Sequence, residues 1–150
     1  MSQSLSDNIL HIVFSTKDRE PLIHTDIEEE LYRYISGVCR NFDSPIIIIN
    51  GVADHLHLLL NLAKTLSSSK LISDIKSNSS RWIKTKGTPY RNFSWQSGYG
   101  AFSVSRTNVD SAAKYISLQK EHHKILGFKE EYLSMLNRAH ISYDEKFLWN

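Results

Sequence analysis

Strand-like and helix-like patterns follow one another along this chain in the order β, α, β, β, α, β, α. Alternating or continuous apolar residues predict strands over 9–15, 46–49, 55–60 and 101–105. The continuous run over 46–49 is typical of a strand buried on both faces, and Asn50-Gly51 indicates a turn or bulge near its end. Apolar residues that recur every three to four positions predict helices over about 27–40, 66–84 and 108–123. We therefore predict an α+β protein of the ferredoxin-like split βαβ class, with an antiparallel sheet, helices on one face and an added C-terminal helix that carries Tyr115. This fold by itself implies no function.

The size and composition of the chain fit one compact unit. A chain of 150 residues with 41% hydrophobic content can bury one core of ordinary size, so we expect a single domain over 1–150. No apolar run approaches the roughly 18 residues that span a bilayer, and the polar N-terminus does not look like an export signal. The single cysteine, Cys39, has no disulfide partner. We expect a cytoplasmic protein with no membrane contact. The sequence after Gly127 shows only a weak helical pattern.

Charge is segregated along the sequence. Residues 63–109 contain eight Lys and Arg against one acid, whereas residues 1–62 contain four against nine. An almost acid-free stretch indicates a polyanionic partner, although a merely solvated face is the alternative. On the predicted helix over 66–84, most of the basic side chains lie opposite the apolar stripe. The residues that we expect to contact DNA are Lys70, Lys76, Arg81, Lys84 and Arg91.

Two histidines stand in an alternating strand pattern, Asp54-His55-Leu56-His57-Leu58. The period of two sends the leucines to one face and both imidazoles to the other. Their Cα atoms would lie about 7 Å apart, close enough for both rings to bind one divalent ion. The alternative is a pair of ordinary strand residues. We expect the histidine face to be open, so that replacing either histidine with Ala would leave the fold largely intact.

Tyr115 and Gln119 lie one turn apart on the last predicted helix, beside its apolar stripe. The amide oxygen of Gln119 would complete a set of neutral metal ligands with His55 and His57, leaving the charge of the ion to act on a phosphate. The Tyr115 hydroxyl could then attack a polarised phosphodiester reversibly. No phosphate-binding glycine loop of the nucleotide-hydrolysing kind occurs. The alternative is a half-buried tyrosine beside a surface glutamine.

The same residues stand in segments that resemble one known family, the small single-tyrosine HUH transposases (His, hydrophobic residue, His) of the IS200/IS605 insertion-sequence group. The matching segments cover most of the chain and follow in order: HIVFSTK from His11 with Arg19, GVADHLHLLL from Gly51, SRWI from Ser80, WQ from Trp95, GYGAFSVS from Gly98, YISLQ from Tyr115 and HH from His122. Three catalytic elements in the expected order make a chance match improbable.

The resemblance implies that His55 and His57 are the metal-binding pair, Tyr115 the nucleophile and Gln119 the third ligand. It implies cleavage and rejoining of hairpin-bearing single-stranded DNA ends, through a 5′-phosphotyrosine on Tyr115 and a free 3′-hydroxyl. It also implies a homodimer in which the tyrosine helix of one subunit can complete the metal site of the other. For the ion we expect Mg²⁺ or Mn²⁺, because imidazoles favour Mn²⁺ whereas phosphate and water oxygens suit Mg²⁺.

Two other functions fit parts of the sequence. A replication initiator or relaxase-type nickase shares the histidine and tyrosine chemistry, but such domains usually belong to longer chains. A non-catalytic ferredoxin-like module could bind RNA or single-stranded DNA by stacking bases on Trp95, Tyr99 or Phe102 beside the basic helix. That function would leave the histidines, Tyr115 and Gln119 unexplained.

Overall fold

The structure is a computed structural model that describes residues 2–150. The strands are β1 (Ile9–Ser15), β2 (Ile46–Val52), β3 (His55–Asn61) and β4 (Gly100–Val104). The helices are α1 (Thr25–Asn41), α2 (Ser68–Lys84), α3 (Val109–Ser117), α4 (Gln119–His122), α5 (Phe128–Arg138) and α6 (Glu145–Leu148). Short 3-10 helices lie at Lys17–Arg19, Thr88–Tyr90 and Arg106–Asn108. Within residues 2–150, no helix combines the length and the apolar character that crossing a membrane requires.

The four strands form one antiparallel sheet in the order β2-β3-β1-β4. β1 and β3 are the central pair, with Ile9 opposite Asn61 at one end and Ser15 opposite His55 at the other. With α1 after β1 and α2 after β3, this is the strand order of the ferredoxin-like split βαβ fold. The predicted fold class is confirmed.

One face of the sheet is covered by α1 and α2 and contains the main hydrophobic core. β3 contributes Leu56, Leu58 and Leu60 to this core, and β1 contributes Ile12 and Phe14. The helices pack against them with apolar residues at helical spacing, among them Leu31, Ile35, Leu71, Ile72 and Ile75. The apolar side chains that alternate along the strands therefore pack against those that recur every 3.6 residues along the helices, as the sequence pattern predicts.

The opposite face is covered by the C-terminal helices. Ile116 of α3 packs against Ile9 and Leu59. Phe128 and Tyr132 of α5 belong to a second cluster, built around Val13. The sequence after Gly127 carries only a weak helical signal, yet α5 forms an 11-residue helix there that docks on the sheet. Packing of its apolar stripe, rather than local propensity, accounts for this helix.

Strand β2 differs from its predicted form in two ways. We predicted a strand buried on both faces, but β2 lies at the sheet edge and Ile47 is 43% exposed. Asn50 and Gly51 were predicted to form a turn or bulge, yet they pair with β3 and the turn follows at Ala53-Asp54. Gly51 is required by close packing, since a Cβ atom there would lie 2.2 Å from the carbonyl oxygen of His55.

Candidate active site

His55 and His57 lie on β3, on the face opposite the leucines, as predicted. Their surroundings are not as predicted, because both side chains are completely buried under the C-terminal helices. The expected open histidine face was therefore wrong. Strand alternation fixed the direction of the two imidazoles but carried no information about which later segment would cover them.

The carboxylate of Glu131 on α5 connects the buried polar side chains. Its Oε1 atom lies 2.9 Å from Nε2 of His57 and 3.1 Å from Nε2 of His123. The same oxygen lies 3.4 Å from Nε2 of His55. Its Oε2 atom accepts hydrogen bonds from the Tyr115 hydroxyl and, at 3.1 Å, from Nε2 of Gln119. Five side chains from β3, α3 and the segment 119–123 therefore converge on one buried carboxylate.

These side chains fit a divalent cation. His55, His57, His123 and Glu131 can each offer one ligand atom, and the four atoms lie within 4.8 Å of one another. Nε2 of His55 is buried and has no hydrogen-bond partner among residues 2–150. An unpaired buried nitrogen is costly unless something binds it. Imidazole and carboxylate are the donor types that Mn²⁺ and Zn²⁺ accept in proteins.

Tyr115 and Gln119 lie on two separate helices and not on one continuous helix as predicted. The predicted continuous helix is interrupted at Leu118, so that Tyr115 belongs to α3 and Gln119 begins α4. Both side chains nevertheless contact Glu131. The amide oxygen of Gln119, predicted as a metal ligand, lies 3.0 Å from Nε2 of His123.

Each histidine on β3 has a hydrogen-bond partner at its outer ring nitrogen, Nδ1. Nδ1 of His55 lies 2.7 Å from Oδ1 of Asp54. Nδ1 of His57 lies 2.8 Å from Nε2 of His11 on β1. Such outer partners orient metal-binding imidazoles and fix which nitrogen faces the ion.

The electrostatics of the cluster follow from burial and close contact. Burial alone would raise the pKa of Glu131, but its close contacts with His123, His55 and His57 hold that pKa well below its usual range. Burial lowers the pKa of His57, whereas for His55 the contacts with Asp54 and Glu131 outweigh burial and raise the pKa. Burial and the Glu131 carboxylate raise the pKa of Tyr115. In this arrangement Glu131 is ionised and the tyrosine hydroxyl is protonated.

A cavity of about 1120 Å³ opens beside Tyr115. It lies between β4, α3, α4 and α5, and its walls include Glu131, His11 and Phe102. Arg138, exposed at the end of α5, also borders it and opposes the rise in the pKa of Tyr115. The cavity therefore gives a large ligand access to the tyrosine oxygen.

The predicted DNA-contacting residues lie on the other side of the sheet, on α2 and the loop that follows it. Lys70, Arg81, Lys84 and Arg91 are exposed. Lys76 is different, because its Nζ atom donates to the carbonyl oxygens of Gln96 at 2.7 Å, Ser97 at 3.3 Å and Gly98 at 2.7 Å. All three of its donors are used in holding this loop, and burial lowers its pKa to about 8.

The aromatic residues considered for base stacking are also placed differently from one another. Trp95 is buried and its Nε1 atom donates to the Ser79 hydroxyl at 2.9 Å. It is therefore unavailable to a base. Tyr99 is 39% exposed, and Phe102 is half-buried at the wall of the cavity beside Tyr115.

Two members of the cluster had no role in the sequence-based prediction. Glu131 lies in the region with the weak helical pattern, and His123 lies in a matched segment without an assigned function. The one sequence signal for Glu131 is an acid beside the apolar stripe formed by Phe128, Tyr132 and Leu136. That signal is weak, because acids border most amphipathic stripes.

Comparison with known proteins agrees with this geometry. No curated protein sequence matches the chain significantly. The fold is similar to a Deinococcus radiodurans R1 protein assigned as a transposase, with a TM-score of 0.62, 17% identity, and coverage of 79% of this chain and 98% of that one. It is also similar to a REP-associated tyrosine transposase bound to a REP hairpin, with a TM-score of 0.63, 17% identity, and coverage of 84% and 76%. A family model described as "Transposase IS200 like" matches residues 4–119. The chain therefore belongs to the IS200-like transposase family.

Proposed function

We propose that this transposase cleaves and rejoins single-stranded DNA through a covalent bond to Tyr115, with the help of a divalent ion. Membership of the family implies an enzyme that cleaves DNA. The observation that carries the finer proposal is the convergence of the Tyr115 hydroxyl, three imidazoles and one carboxylate at the wall of a large cavity. A purely structural cluster would not need a nucleophile at an accessible edge.

The ion would be held by four side chains, with the amide oxygen of Gln119 as a further ligand. The four are His55, His57, His123 and Glu131. Mg²⁺ or Mn²⁺ bound there would polarise the phosphodiester and stabilise the charge that develops on it. The protein's own contribution is to keep the ligands buried and fixed, which strengthens every electrostatic contact in the site. Glu131 and His123 lie beyond residue 119, where the family match ends, so this chain completes the site with its own C-terminal segment.

Tyr115 would perform the covalent step. Its oxygen forms a bond to phosphorus while the bond from phosphorus to the 3′ oxygen breaks, leaving a 5′-phosphotyrosine and a free 3′-hydroxyl. The tyrosine proton must leave as the bond forms. Oε2 of Glu131 orients the hydroxyl by accepting its hydrogen bond, but the low pKa of this carboxylate makes it a weak base, so solvent water in the cavity would take up the proton. The departing 3′ oxygen takes up a proton, and the reverse attack by the 3′-hydroxyl reseals the strand without ATP.

The substrate would be a single-stranded DNA end that bears a hairpin. One structural neighbour is bound to a REP hairpin. In this chain, a separate basic surface could bind the double-stranded stem of a hairpin; it is formed by the exposed side chains of Lys70, Arg81, Lys84 and Arg91. The cleaved strand would enter the cavity beside Tyr115, where Arg138 can contact a phosphate. A homodimer remains part of the proposal, although in this chain Tyr115 already reaches Glu131 of the same subunit.

The test is adduct formation on labelled single-stranded hairpin oligonucleotides with Mg²⁺ or Mn²⁺. The wild-type protein should form a covalent protein–DNA adduct when the metal is present, and EDTA added before the DNA should prevent its formation. The matched Tyr115→Phe variant should fold, bind DNA and bind metal but form no adduct, because only the attacking oxygen is removed. A nucleotide mapped to another residue, or cleavage without any adduct, would refute Tyr115 as the nucleophile.

A further inference from the structure

We infer that His11 is a positioning residue that controls which ring nitrogen of His57 is free to bind the metal ion. This inference rests on the proposed metal site. His11 lies on β1 and pairs with Leu59 of β3, so that it is the diagonal neighbour of His57 on the same face of the sheet. Its Nε2 atom lies 2.8 Å from Nδ1 of His57, and the contact is buried.

The two histidines of β3 are oriented by chemically different partners. Asp54 has a carboxylate, which can only accept, so the hydrogen of a neutral His55 lies on Nδ1 and its Nε2 lone pair points to the cluster. A lone pair at this position agrees with the geometry, because Nε2 of His55 has no hydrogen-bond partner among residues 2–150 and lies 3.4 Å from Oε1 of Glu131. His57 has an imidazole instead of a carboxylate as its outer partner, and an imidazole nitrogen can either donate or accept.

This difference matters because His57 needs two tautomers. Its Nε2 atom lies 2.9 Å from the ionised Glu131 carboxylate, which can only accept, so without an ion the hydrogen is on Nε2. His11 must then donate to Nδ1 of His57. A metal-binding Nε2 must instead carry a lone pair, so the hydrogen moves to Nδ1 and His11 must accept. Of the two outer partners, only His11 can satisfy both states.

The proton balance of this exchange closes without any change in charge. The hydrogen on Nε2 of His57 is released, the hydrogen on Nε2 of His11 passes to Nδ1 of His57, and Nδ1 of His11 takes up one proton from water. His11 is 8% exposed and lines the cavity beside Tyr115, which gives its ring access to water. His11 thus links metal binding at the buried histidines to the solvent side of the site.

Binding of Mn²⁺ to the full chain tests this role with two variants of His11. His11→Gln keeps a side chain that can donate or accept, whereas His11→Leu keeps similar bulk with no polar atom. We expect His11→Leu to weaken Mn²⁺ binding about 10- to 100-fold, the usual effect of losing an outer partner, and His11→Gln to weaken it only about threefold. Wild-type affinity in folded His11→Leu, or equal weakening in both variants, would overturn the inference.

Two further measurements keep the test decisive. In wild-type protein labelled with ¹⁵N-histidine, the ring nitrogens of His57 should show protonation at Nε2 without metal and at Nδ1 with Zn²⁺; an unchanged tautomer contradicts the role of His11 whether or not the variants fold. His57→Ala should abolish Mn²⁺ binding. Loss in His57→Ala with normal binding in His11→Leu overturns the inference alone, whereas normal binding in His57→Ala overturns the metal site and the inference together.

Discussion

The two faces of the central sheet are built on different physical principles, although they share the same strands. On one face, Leu56, Leu58 and Leu60 of β3 pack under α1 and α2. On the other face, His55 and His57 of the same strand contact Glu131 of α5. Glu131 in turn contacts Tyr115 of α3 and Gln119 of α4. The first face gains stability from apolar area removed from water. The second must satisfy each buried polar group individually, and it holds the candidate chemistry.

This contrast explains why the second face is closed rather than open. Burying two imidazoles is unfavourable unless they are hydrogen-bonded. Glu131, Asp54 and His11 supply these contacts within residues 2–150. The same contacts fix the orientation of the imidazoles around the proposed metal position, so that one set of contacts both satisfies the buried groups and shapes the candidate site.

The sharpest way to separate the two faces is to change adjacent residues of β3, both completely buried. His57→Ala should reduce metal-dependent adduct formation to background. It should also lower stability by about 1–3 kcal/mol, because His11 and Glu131 lose a partner. Leu58→Ala should cost about 2–5 kcal/mol by leaving a cavity, yet retain adduct formation below its melting temperature. Thermal unfolding and adduct yield, measured together, check both expectations.

If His57→Ala still forms the adduct, the polar face is only a structural cluster. If Leu58→Ala loses activity while it remains folded, the two faces are not independent. The expectation that the fold stays largely intact without either histidine rested on an open histidine face. Because both side chains are buried, we now expect the loss of stability given above.

A smaller effect is expected when Glu131 keeps its shape but loses its charge. Glu131→Gln should reduce adduct yield at limiting Mn²⁺ about 10- to 100-fold, since hydrogen bonds to a charged group contribute roughly 1.5–3 kcal/mol. Stability without metal should also fall. Glu130→Gln is the matched control, because Glu130 is exposed on the same helix and its oxygen only caps Gly127. Equal adduct yields in the two variants would remove Glu131 from the site.

The difference between the faces also sets what the sequence could reveal. The apolar face follows from periodicity, so that the order of elements along the chain and the positions of α1 and α2 were predicted correctly. The sequence identified the candidate residues because they lie in short segments that resemble one known family and follow in the same order. These residues are His55, His57, Tyr115 and Gln119. Their connection through Glu131 depends on how α5 docks, and no local pattern encodes that docking.

The predicted basic surface also shows a structural feature that the sequence could not predict. Sequence composition identified the basic stretch, but charge alone could not distinguish an exposed lysine from Lys76, which holds three carbonyl oxygens of the loop 96–98. The edge position of β2 was missed for a similar reason. An isoleucine run is compatible with either a central or an edge strand, and only strand pairing decides between them.

Arg138 tests whether the cavity on the polar face takes up the cleaved strand. Arg138→Ala should slow adduct formation about tenfold at saturating metal, because one charge-assisted contact to phosphate contributes on the order of 1.4 kcal/mol. Arg138→Lys should recover part of the rate, since it restores the charge without the planar fork. An unchanged rate in Arg138→Ala would place the strand outside this cavity.

The smallest effect on the cleavage step is expected from the helix that covers the apolar face. Replacing Lys70, Arg81 and Lys84 with Ala should weaken DNA binding and reduce its salt dependence by up to about three phosphate contacts, or roughly 0.7–0.9 in the log–log slope for each contact. The rate of adduct formation at saturating DNA should not change, because α2 and Tyr115 lie on opposite faces of the sheet. Arg33→Ala with Arg40→Ala is the matched control on α1. An unchanged salt slope in the triple variant would show that α2 is only a solvated surface, and a slower saturated rate would show that the two faces act together in catalysis.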